Sequence, residues 1–159
     1  MMLAPLVTLV SQTPVFDRDF TPVSAQASDD RKAGDQKETE TAQTALRYEL
    51  ARVADECCLA GWDGYGAAPV TYLTFKRAFE LSESFPDSLP IPTVGAEPDG
   101  SLTYDWYRNP SYVLSLSVAP DGRIYYAANL GARRRSGADV FTGELPSEVV
   151  DLIPEILPA

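Results

Sequence analysis

Between residues 98 and 128 the apolar pattern of this chain has a period of two, and no other feature restricts its fold so tightly. Leu102, Tyr104 and Trp106 alternate with Ser101, Thr103 and Asp105. Leu114, Leu116 and Val118 alternate with Val113, Ser115 and Ser117, and Ile124, Tyr126 and Ala128 follow at the same spacing. Successive side chains of a strand point to opposite faces, so each run has one apolar and one polar side. Pro98, Asp99 and Gly100 precede the first run, and Pro120, Asp121 and Gly122 stand between the second and third, which is turn chemistry. Consecutive strands joined this way make an antiparallel meander with one face free for helices. A fourth short strand is predicted at 138–142.

On either side of this block the period is helical. Leu46, Leu50, Val53 and Cys57 share one stripe, with Arg47, Glu49, Arg52 and Glu56 opposite, and Gly61 stands at a C-cap position. Thr71 caps a second helix whose face is Phe75, Ala78, Phe79, Ser82 and Phe85; Pro86 closes it. The proline-rich stretch 84–98 is expected to be an ordered connector. Val149, Leu152, Ile153 and Ile156 mark a last helix beginning near Leu145, Pro146 and Ser147, with Pro154 limiting its end. The fold class predicted is α+β: two N-terminal helices, a three- to four-stranded antiparallel meander, and a C-terminal helix packed on one sheet face.

At 159 residues a single domain is expected over 42–159. Residues 1–41 are expected to be a disordered or extended tail. The apolar start 1–10 is too short to span a bilayer, and the polar run 24–41 lacks hydrophobic periodicity. Ala25, Gln26 and Ala27 resemble a leader-peptidase site, but no basic segment precedes the apolar run, so a cytoplasmic location is expected. Cys57 and Cys58 are adjacent, which disfavours a disulfide between them and fits a reducing compartment.

Three glycines, Trp62, Asp63 and Tyr65 crowd the nine residues from Gly61 to Pro69. An ordered corner between helices is predicted, with both rings plugged into a neighbouring surface. Trp62, Asp63, Gly64, Gly66, Ala67 and Pro69, then Pro98, Asp99, Gly100 and Trp106, then Asp121, Gly122 and Ile124, form a combined pattern over about residues 45–157. In this the chain resembles a family of small, largely uncharacterised bacterial and phage proteins. That resemblance implies an α+β domain with no assigned chemistry. It also implies mobile-element or defence-linked settings: immunity, antitoxin-like or anti-defence (anti-CRISPR) roles.

The residues argue against most chemistry. There is no histidine, the commonest general base and zinc ligand. Asp63, Asp99, Asp105 and Asp121 are candidates for a hard cation, but three of them adjoin glycines in tight turns, where aspartate caps backbone amides. Cys57 and Cys58 have no activating partner, and the glycine-rich run lacks the strand before it and the lysine after it of a phosphate loop. No cofactor and no metal is expected. A hydrolase using clustered aspartates is one alternative; a homo-oligomeric structural module is another.

A formal charge of −10 repels phosphate backbones, so direct nucleic-acid contact is not expected, nor is a membrane. The expectation is a non-enzymatic acidic module that binds, and inhibits or neutralises, a protein partner such as a nucleic-acid-binding effector; a homodimer is open. Candidate partner-binding residues are Tyr107, Tyr112 and Tyr125, expected opposite the core face, and Arg133, Arg134 and Arg135, expected in a loop. The carboxylates Glu80, Glu83 and Asp87, with Glu148, Asp151 and Glu155, are expected to meet a basic surface.

Overall fold

A computed structural model describes residues 32–158 of the chain, with side chains from Ala42 onward. The elements run α1 (Lys32–Glu56), α2 (Tyr72–Glu83), β1 (Thr93–Ala96), β2 (Leu102–Asn109), β3 (Tyr112–Val118), β4 (Arg123–Leu130), β5 (Arg133–Val140) and α3 (Ser147–Ile156). The five strands pair antiparallel in chain order, β1-β2-β3-β4-β5. The fold is α+β, with two helices before the sheet and one after it.

The period-two runs form the central strands as predicted, and their apolar sides make the core. Leu102, Tyr104, Trp106, Leu114, Leu116, Val118 and Ile124 are buried against the helices. Facing them are Leu46, Leu50, Val53 and Cys57 of α1 and the residue after it, Ala78 and Leu81 of α2, and Val149, Leu152, Ile153 and Ile156 of α3. The two largest core rings keep their polar atoms satisfied, as burial demands. Tyr104 Oη donates to the Ala78 carbonyl at 2.7 Å and Trp106 Nε1 to the Pro90 carbonyl at 2.7 Å. Phe85 packs edge-on against Tyr104, ring centres 5.2 Å apart.

Three differences from the sequence reading concern extent. The sheet has five strands, because Thr93–Ala96 pairs with β2 inside the proline-rich connector. The last strand is Arg133–Val140, longer and earlier than 138–142, so the three arginines lie in a strand and not in a loop. Helix α1 begins at Lys32, ten residues before the expected boundary, so 32–41 belong to a helix and not to an extended tail. That segment is rich in good helix formers. The apolar start 1–10 and Ala25, Gln26 and Ala27 lie outside the described residues.

The glycine-rich corner is built as a socket for the first turn. Asp63 Oδ1 accepts the Tyr65 and Ala67 amides at 2.8 and 3.0 Å, and these bonds hold its carboxyl below the usual range. Gly61, Gly64 and Gly66 all have positive φ. The Ala68 amide then donates to the Pro98 carbonyl at 2.7 Å, while a Cβ on Gly100 (φ +86°) would stand 2.8 Å from the Pro69 carbonyl oxygen. The two motifs therefore interlock. Trp62 packs partly buried on the core with Nε1 on the Ala68 carbonyl at 3.1 Å, but Tyr65 is 95% exposed and plugs into nothing described.

Candidate functional site

All three helices pack on one face of the sheet; no described element covers the other. Strand register defines that open face as rows. The middle row is Thr93, Asp105, Ser115, Ala127 and Ser136. One flanking row is Tyr107, Val113, Asn129 and Arg134; the other is Gly95, Thr103, Ser117, Tyr125 and Ala138. The floor is thus made of small side chains, and it exposes two tyrosines at opposite ends, Tyr107 (59%) and Tyr125 (42%). Between β3, β4 and β5 it dips into an open hollow of about 390 Å³ bordered by Val113, Ser115, Asn129, Arg134 and Ser136.

The carboxylates of this face are engaged locally. Ser115 Oγ donates to Asp105 Oδ1, and Ser117 Oγ to Glu97 Oε1 at 3.1 Å. The cations stand at its ends: the Arg123 guanidinium lies 5.8 Å from the Tyr125 ring centre, and Arg134 borders the hollow.

The candidate residues divide. Tyr107 and Tyr125 lie on the open face as expected. Tyr112 does not: it sits in register with Leu130 on the helix side and packs partly buried against the core, beneath the Arg108 guanidinium. The arginine triplet alternates with the strand. Arg134 points to the open face, whereas Arg133 and Arg135 share the α3 side. There Arg133 Nη2 binds Glu155 Oε2, and Arg135 lines a hollow with Glu148, Asp151 and Tyr126. Cations and carboxylates that the sequence offered to outside partners therefore face each other within one molecule.

Glu80 pairs with Lys76 at 3.5 Å and Glu83 with Arg47 at 3.2 Å. Asp87 borders a groove of about 220 Å³ between α1 and the chain after α2, with Leu46, Leu89 and Ile91. The candidate aspartates have local duties: Asp99 Oδ1 caps Ser101 N at 2.9 Å, Asp121 Oδ1 caps Arg123 N at 3.0 Å, and Asp105 holds Ser115. Among the described residues no three Asp, Glu, Cys or His side chains gather as a metal site. No described helix is long and apolar enough to cross a membrane. Cys57 is buried and Cys58 exposed, and both are free thiols; burial pushes the Cys57 thiol up from its ordinary value.

A further apolar surface lies between α1 and α2, where Ala51, Ala54, Val70 and Phe75 border a groove of about 320 Å³ beside the exposed Tyr72. Sequence reasoning missed it. Tyr72 stands three residues before Phe75 and seven before Phe79, so its spacing reads as an extension of the core stripe, and only its exposure in the fold separates it from the core.

No family model, curated protein or solved structure matches this chain. The fold defines its class by itself: an α+β domain whose antiparallel sheet has one helix-covered face and one face that no described element covers.

Proposed function

We propose that this chain is a non-enzymatic binding module that engages a protein partner through the uncovered face of its sheet. The observation that carries this reading is the face itself: Tyr107 and Tyr125 stand exposed at either end of a floor of small residues. Tyrosine supplies large contact area at low entropic cost and is favoured at interfaces. With strands about 4.8 Å apart and rising about 3.3 Å per residue, the five-stranded face offers on the order of 500 Å². A stable interface needs about 800 Å² per partner, so the rim around Arg123 and Arg134 would have to join the contact.

The narrower reading, in which the module inhibits or neutralises a nucleic-acid-binding effector in a mobile-element or anti-defence setting, is supported by the net charge of −10. The internal ion pairs of Glu83 and Glu155 weaken that support, because these carboxylates are already engaged. Salt separates the two readings: charge-driven binding falls steeply with ionic strength, and aromatic anchoring does not.

The test is capture of partners by the full chain at low and high salt, alongside the double variant Tyr107→Ser/Tyr125→Ser and the control Tyr72→Ser. A protein lost from the double variant and retained by the control supports the proposal. Identical recovery by all three chains, or no recovery at either salt concentration, would sink it.

A further inference from the structure

We propose that β5 is a self-pairing edge through which two copies of this chain join antiparallel into one continuous sheet. Strand β5 ends the sheet order, so its outer side pairs with no described strand, and it is eight residues long. The hairpin register shows which backbone groups that side presents. Gly131 and Ala132 make a two-residue connection between the paired Leu130 and Arg133, which places a hydrogen-bonded pair at Arg133 and at every second residue after it. Phe141 keeps this phase, with its amide on the Gly122 carbonyl at 3.0 Å. The amides and carbonyls of Arg134, Ser136, Ala138 and Val140 therefore point outward. The Val140 amide is met only by the neighbouring Asp139 carboxylate, at 2.8 Å.

Arginines on an edge strand ordinarily guard it against pairing. Here the opposite end of the same strand carries Asp139, and that makes the guard selective. A two-fold antiparallel pair sets residue i against j and j against i. Residues on the same side of the sheet must oppose each other, which leaves registers centred on Ser136 or on Gly137. Centred on Ser136, Asp139 of each copy opposes Arg133 of the other; centred on Gly137, it opposes Arg135. Directly opposed residues have Cβ atoms about 5 Å apart, close enough for these charges to pair. Parallel in-register pairing would instead stack the arginine runs of the two copies.

Helix α3 removes much of the remaining repulsion. Glu155 already neutralises Arg133, and Glu148 and Asp151 stand beside Arg135. Arg134 lies on the open face, where either register sets it against an uncharged residue, Ala138 or Val140. Joining two sheets also places both bare faces side by side, doubling the area available to a partner. The inference stands independently of the proposed function, because it concerns the edge and not the face.

The experiment is sedimentation equilibrium of the full chain from low micromolar to millimolar concentration, with circular dichroism to verify the fold of each variant. The expected result is a species of twice the 17.3 kDa chain mass. Asp139→Arg, which sets arginine against arginine, is expected to weaken association by roughly tenfold or more. Ala138→Pro, which removes an amide that β4 does not use, is expected to do the same. The Tyr107→Ser/Tyr125→Ser variant should still dimerise. A wild-type monomer at every concentration overturns the proposal. So does a dimer that survives both edge substitutions, or one lost only when the face tyrosines are changed.

Discussion

The interlock between the glycine-rich corner and the first turn is testable by placing one methyl group at two positions. Gly64 and Gly100 have nearly the same backbone, φ +78° and +86°, but different surroundings. A Cβ on Gly64 meets nothing within 4 Å, whereas on Gly100 it stands 2.8 Å from the Pro69 carbonyl oxygen. The left-handed conformation costs a non-glycine residue about 1–2 kcal/mol, and the loss of unfolded-state freedom on replacing glycine returns about 0.4–1 kcal/mol. Gly64→Ala should therefore destabilise by about 0.5–1 kcal/mol. Gly100→Ala carries the same balance plus overpacking of about 1–3 kcal/mol. Its neighbour cannot easily withdraw, because the adjacent Ala68 amide is tied to the Pro98 carbonyl. The expected total is about 1.5–4 kcal/mol, which for a domain of this size lowers Tm by roughly 5–20 °C. Urea unfolding of the two variants and the parent, with m-values compared, measures the difference. Equal destabilisation within about 0.5 kcal/mol would refute the interlock and leave backbone conformation as the whole effect.

Tyr104→Phe removes one buried hydrogen bond and little volume, so a loss of about 1 kcal/mol is expected in urea unfolding. Trp106→Ala empties a fully buried site and removes the donor to the Pro90 carbonyl, and a loss of about 3–5 kcal/mol is expected from the same measurement. Asp63 titrates below its unfolded value because its charged form accepts the Ala67 and Tyr65 amides. Its contribution is therefore complete above the unfolded pKa of about 3.9 and lost as pH falls through the lower folded value. Urea midpoints between pH 6 and pH 2.5 should fall less in Asp63→Asn than in the parent. Iodoacetamide followed by peptide mass mapping should label Cys58 well before Cys57, whose thiol is buried and shifted away from the reactive thiolate.

Most of the fold is legible because its hydrophobic periods are clean. Val149, Leu152, Ile153 and Ile156, read as one stripe, are all buried, and Thr71 caps α2 through a bond from the Thr74 amide at 3.2 Å. Strand β1 escapes because four residues holding a glycine between prolines carry too little alternation to register as a strand. Its real determinant is the partner: Thr93 to Ala96 pair with Asp105 to Leu102, a relation that no local window contains. Gly95 also leaves room for Thr103, whose Oγ1 would lie 2.9 Å from a Cβ there.

The candidate site was harder to read because charge patterns do not announce their partners. Three consecutive arginines resemble a solvated loop, and an edge strand exposed on both sides has no apolar alternation to correct that impression. Only the register separates Arg134 from Arg133 and Arg135, and only the packing of α3 sets Glu155 beside Arg133. Tyr112 was misplaced although its signal was present: it stands two residues before Leu114 in the same unbroken strand, so the alternation of β3 itself puts it on the core side. Of the three candidate tyrosines, Tyr107 and Tyr125 lie on the open face, and their odd-numbered positions follow from the alternation that defines the strands. The same alternation hides the apolar side under the helices and turns the small polar side to a face that no described element covers. On the proposed reading, the surface used for recognition is set by the pattern that folds the sheet, and not by the chain's excess of acid.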